Sequence, residues 1–109
     1  MEKVYNKLVR DKIPEIISNN GGEAFIRILS DDEYKVELER KLLEEYNEVL
    51  SSKTREERLE ELADMLEIIK ALCIFEESSL DDVIDIANEK QLKRGGFKDK
   101  IYLEKVIEE

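Results

Sequence analysis

Residues 30–67 read SDDEYKVELERKLLEEYNEVLSSKTREERLEELADMLE, and the stops and starts in this stretch decide the fold. Ser30-Asp31-Asp32-Glu33 fits a capping box, in which an N-cap Ser and a Glu three residues on satisfy exposed N–H groups reciprocally. From there to about Leu50 nothing breaks a helix, a run of roughly 20 residues or about 30 Å. Ser51-Ser52-Lys53 makes the turn. Thr54-x-x-Glu57 is a second capping box, and its helix should run to about Phe75 or Glu77. Two long helices joined by so short a turn lie antiparallel, which makes a helical hairpin the centre of the molecule.

Working outward, Ser78 or Ser79 caps a further helix from Leu80 to about Leu92 or Arg94, and Gly95-Gly96 ends it. On the other side, Asp11 to Ser18 reads as a short helix with Pro14 tolerated in its first turn, and Asn19-Asn20-Gly21-Gly22 stops it. Residues 23–29 are weakly periodic and fit a short strand or an extended linker. Residues 100–107 fit a strand or a last helical turn. There are no internal repeats or interdomain linkers. The expected fold is all-α: one domain spanning residues 1–109, an antiparallel helical bundle built on the long hairpin, with short extended segments near the termini.

Composition narrows the function classes. The 109 residues carry 28 acids against 18 bases, a net charge of −10, which argues against a nucleic-acid polymer as partner. No apolar run approaches the roughly 20 residues that span a bilayer. MEKVYNKLVR has no apolar leader core, so a cytoplasmic location is expected. A single cysteine cannot form an internal disulfide, and Cys73 reads as core. With no histidine, His-based triads and His-ligated zinc or di-iron sites are excluded within this chain. Basic residues gather at both ends, Lys3 to Lys12 and Lys90 to Lys100. They read either as cations matching a helix C-terminus or as a basic pole that holds an anion.

The acidic middle is the informative part. Acidic pairs three residues apart share a helix face, and in a chain so rich in Asp and Glu most such pairs are solvated. What distinguishes two of them is their apolar company. Leu38, Leu42, Tyr46 and Val49 form the buried stripe of the first long helix, and Glu45 falls inside it, about 20° from Leu38 at 100° per residue. Glu48 lies on the stripe's margin. In the next helix Leu59, Leu62, Leu66, Ile69 and Cys73 make one apolar face. Ile68 and Leu72 make a second, and Glu61 and Asp64 share that second face. Glu57 and Glu60 have no such company. An antiparallel turn near Lys53 sets Glu45 level with Glu61, with Glu48 and Asp64 within about a turn. Four converging carboxylates repel unless protonated, paired with lysine or bridged by a cation. All-oxygen ligation selects a hard ion, Mg²⁺ first and Mn²⁺ second. The alternative is an ordinary acidic surface.

Glu45-x-x-Glu48, twelve intervening residues and Glu61-x-x-Asp64 resemble the ExxE…ExxD signature of the all-α nucleoside triphosphate pyrophosphohydrolases. This MazG-like group includes the phosphoribosyl-ATP pyrophosphohydrolases. Ala87-Asn88-Glu89-Lys90 with Arg94-Gly95-Gly96-Phe97 is similar to the family's Asn-x-Lys-x-x-x-Arg segment. Asn6-Lys7-Leu8-Val9-Arg10-Asp11-Lys12-Ile13-Pro14 looks like the opening of a subgroup of small members. The resemblance covers nearly the whole chain, least distinctively at residues 23–29.

It implies that Glu45, Glu48, Glu61 and Asp64 hold Mg²⁺, with Mn²⁺ as substitute. The reaction it implies is hydrolysis between the α- and β-phosphates of a nucleotide, giving a monophosphate and pyrophosphate. In that chemistry one carboxylate orients or deprotonates the water, and Glu48 is the choice for it, with Glu45 and Glu61 beside it. Lys90 and Arg94 would grip the polyphosphate with Asn88 in support, and Lys7 and Arg10 would add anion contacts or be plain surface cations. Family members are dimers or larger assemblies, so a homodimer or homotetramer is expected. House-cleaning of non-canonical nucleotides is the leading function. Phosphoribosyl-ATP hydrolysis in histidine synthesis and a non-catalytic helical interaction module are the alternatives.

Overall fold

A computed structural model describes residues 1–108 as four helices: α1 (Ile13–Asn19), α2 (Asp31–Ser51), α3 (Arg55–Phe75) and α4 (Leu80–Arg94). There is no strand among the described residues, so the all-α expectation holds. Residues 23–30 are neither helix nor strand, which leaves the extended linker. Residues 101–108 are neither of the two forms expected for them, strand or helical turn.

Helix boundaries follow local chemistry. The Ser30 box forms in full: the Glu33 N–H donates to Ser30 Oγ at 3.3 Å, and the Ser30 N–H donates to Glu33 Oε1 at 3.3 Å. At α3 only half of the second box forms. The Glu57 N–H donates to Thr54 Oγ1 at 3.1 Å, but the Glu57 carboxylate reaches one residue further back and accepts from the Lys53 N–H at 2.9 Å. The α4 cap is Ser79, whose Oγ accepts from the Asp82 N–H, while the Ser78 hydroxyl donates to the Asp82 carboxylate. Gly95, at φ +82°, takes the left-handed turn that ends α4. The first helix starts at Ile13 rather than Asp11: Pro14 lies in its first turn and Lys12 caps it without a side-chain bond.

The central packing is α2 against α3, and named contacts fix its direction. Next to the turn, Arg58 Nη1 donates to the Val49 carbonyl at 3.2 Å. At the far end Tyr34 meets Phe75, ring centroids 6.0 Å apart and tilted by 57°. The two helices are therefore antiparallel. Between them sit the chain's buried hydrophobics, Leu38, Val49 and Cys73. The stripe is thinner than its sequence implies. Tyr46, expected in the core, is 46% exposed, and Leu59, Leu62 and Leu66 are also exposed. Helix α4 packs on α3 alone, and residues 81–94 are exposed throughout.

The molecule measures 66 × 35 × 25 Å, with a radius of gyration of 18.9 Å where a compact chain of this length has roughly 13 Å. No helix is long and apolar enough to cross a membrane among the described residues.

Candidate functional site

In the half of the helical pair nearer the turn, α2 contributes Glu45 and α3 contributes Glu61 and Asp64. One carboxylate oxygen from each lies within 4.8 Å of the others, and all three residues are half-buried. The i, i+3 spacing puts Glu61 and Asp64 on one face of α3, and the antiparallel register carries Glu45 to their level. This is the convergence that the wheel and the turn position anticipate.

Glu48 is the exception. It is exposed, lies outside the group of three, and lines a neighbouring open recess with Ser51, Ser52, Glu57 and Glu61. The fourfold convergence expected from the sequence is thus threefold. Three residues advance the chain by about 4.5 Å and turn it by about 300°. The same step keeps Asp64 on the face of Glu61, whereas on α2 it carries Glu48 from inside the apolar stripe to its margin, one turn nearer the loop, where it is exposed.

Neighbouring charges shape the cluster. Burial raises the Glu45 carboxyl above the usual carboxylate range, and the neighbouring acidic groups of Asp64 and Glu61 add to this. Lys41, one turn before it on α2, opposes the rise. Arg10 Nη2 donates to Asp64 Oδ1 at 2.8 Å, and Lys7 Nζ lies 3.3 Å from Glu44 Oε1, which Lys41 also approaches at 3.7 Å. Arg10 and Lys7, read as anion contacts, are therefore engaged with acidic side chains. The sequence held a signal for Lys41, which stands at i−4 from Glu45. It held none for Arg10–Asp64, a contact across 54 positions.

The fit to a hard cation can be judged from the donors themselves. Three carboxylates supply oxygen only, as Mg²⁺ and Mn²⁺ require. Their oxygens lie within 4.8 Å of one another, where an octahedral Mg²⁺ sets adjacent ligands about 3 Å and opposite ones about 4 Å apart. The remaining positions would be left to water or substrate oxygen. The residues present fit the ion.

Among the described residues no hydrogen bond or ion pair joins the basic end of α4 to this cluster. Asn88, Lys90 and Arg94 are exposed, and α4 makes no approach to α2. Lys93 and Arg94 occupy the last turn of α4, where they complement its C-terminal dipole. Tyr34, an unassigned aromatic in the sequence, is occupied by Phe75.

No protein-family model and no solved structure matches the chain. It is similar to a protein of Mycolicibacterium smegmatis (strain ATCC 700084 / mc(2)155) described as uncharacterized, at 50% identity over 54 residues. The match takes in 50% of this chain and 55% of that protein, so the chain spans about half the length of the relative it matches. That likeness brings no activity with it.

Proposed function

We propose that this chain is a Mg²⁺-dependent nucleotide pyrophosphohydrolase of the MazG-like kind, acting on nucleoside triphosphates that include non-canonical ones. The observation that carries the reading is the meeting of Glu45, Glu61 and Asp64 from two helices on partly apolar faces. These three carboxylates would hold the cation, with Mn²⁺ able to replace Mg²⁺. When bound, the ion offsets phosphate charge and makes a nearby water more acidic. Glu48, exposed on the rim, is free to orient the attacking water and accept its proton. Water oxygen adds at the α-phosphorus, the bond from that phosphorus to the bridging oxygen breaks, and nucleoside monophosphate and pyrophosphate leave.

Lys90 and Arg94, one turn apart on α4, suit a polyphosphate, with Asn88 beside them. A bundle completed by a second copy of the chain would give α4 and the open faces of the hairpin their cover. The exposed surface of 10393 Å² supports association, since a compact monomer of 12.8 kDa exposes only roughly 6,300 Å². An excess of this size is comparable to an obligate interface.

The test is pyrophosphate release from a panel of canonical and modified triphosphates and phosphoribosyl-ATP, with and without Mg²⁺, beside Glu61→Ala. Mg²⁺-dependent release that the variant loses is the expected result. Release from phosphoribosyl-ATP alone moves the substrate to histidine synthesis. Silence across the panel from folded protein leaves a non-catalytic interaction module.

A further inference from the structure

Residues 1–10 contain no regular secondary structure, yet side chains fix this segment on the helical pair at two points. Lys7 is tied to Glu44 on α2, and Arg10 to Asp64 on α3. The two anchors stand on different helices, so the segment crosses the seam between them beside the carboxylate cluster. Asn6, at φ +47°, turns the chain just before the first anchor. Tyr5 to Leu8 and the Glu37–Glu44 stretch of α2 line one open recess. Just past the second anchor, the Ile13 N–H donates to the Arg10 carbonyl at 3.0 Å and leads the chain into α1.

We propose that this N-terminal segment is a strap that a divalent cation displaces. Arg10 is a counter-charge of the carboxylate cluster, and an ion held by Glu45, Glu61 and Asp64 competes with it for Asp64. The inference rests on the metal reading of the site. Its physical basis is competition. The Arg10–Asp64 pair is exposed on both sides, 58% and 43%, and a pair so exposed is easily exchanged. A doubly charged ion among the three carboxylates both occupies the Asp64 oxygens and repels the guanidinium beside them. With Arg10 released, the segment keeps only the Lys7–Glu44 contact, itself solvent-exposed.

The experiment uses the full chain and Arg10→Gln. Limited trypsin cleavage after Lys7 is read by mass spectrometry at increasing Mg²⁺, with a free peptide of residues 1–12 as control for the protease. Mg²⁺ binding is measured in parallel by calorimetry. Saturating Mg²⁺ should speed cleavage after Lys7 in the natural protein, and Arg10→Gln should already show the faster cleavage without it. Arg10→Gln should also bind Mg²⁺ roughly two- to fivefold more tightly, the exchange value of one exposed ion pair. Mg²⁺ binding with unchanged cleavage, or Arg10→Gln binding no more tightly, overturns the strap and leaves the metal site standing. Absence of Mg²⁺ binding in both proteins overturns the strap and the metal site together.

Discussion

Glu45 shows how one side chain reports on its surroundings. Its carboxyl is raised because it is partly buried beside two other carboxylates. The folded protein therefore holds this proton to a higher pH than the unfolded chain does. The stability that follows is fully present below the unfolded value and is lost as pH rises through the folded one. Cation binding has the opposite dependence, since a ligating carboxylate must be deprotonated. Mg²⁺ affinity should accordingly fall as pH drops through the raised Glu45 range, with proton release on binding, both read by calorimetry in buffers of differing ionisation enthalpy. Glu45→Gln removes the repulsion and the proposed ligand together. The cation-free variant should be as stable as the natural protein at neutral pH, or more stable by up to about 1 kcal/mol, while Mg²⁺ no longer raises its Tm.

At the scale of the elements, helix ends are where local chemistry is most exposed to test. The Glu33 carboxylate is pulled down to about 2 by its hydrogen bond from Arg27, helped by the Ser30 N–H. That contribution to the start of α2 is present above the ordinary carboxylate range and is lost as pH falls through about 2. Helix content followed by circular dichroism should show α2 fraying in that acid window, and Arg27→Gln should move the fraying to higher pH. The end of α3 carries a different feature. The Ser78 N–H donates to the Cys73 carbonyl at 2.9 Å and the Glu77 N–H to the Ile74 carbonyl at 2.9 Å, a Schellman motif. Its left-handed residue is Glu77, at φ +59°, where glycine is usual. Left-handed strain of roughly 1–2 kcal/mol is relieved in Glu77→Gly, against the roughly 0.5–1 kcal/mol that glycine loses in backbone entropy. Urea unfolding should show the variant to be more stable by about 0.5 kcal/mol, the difference of these terms.

At the scale of the whole molecule, surface dominates. Among the described residues three buried hydrophobics are too few to hold four helices, and large apolar side chains stand exposed on every helix. Association is the physical remedy, because burying apolar surface is worth about 25 cal/mol per Å². Light scattering should give a mass of two chains or more. Leu66→Lys, which puts a charge on the exposed apolar face of α3, should shift the species towards the single chain and lower its Tm. A monomer of unchanged stability in the natural protein would count against the oligomer.

Sequence by itself determined the helices and their order, because the capping residues, glycines and uninterrupted amphipathic runs act within a few residues of where they stand. It also determined the level at which Glu45 meets Glu61 and Asp64, since helical rise and a short turn fix register arithmetically. Only the tertiary structure decided how far each side chain is buried. Leu62 and Tyr46 have apolar character and periodic placement, but burial depends on what lies across from them, and 44% and 46% of their surface stays exposed. The same reason separates Glu48 from its three neighbours, a rotation of one step at the edge of a face. It also explains Arg10, whose partner Asp64 lies on a distant helix: no local rule links a non-helical segment to a carboxylate 54 residues away, and only the fold brings the two charges within 2.8 Å.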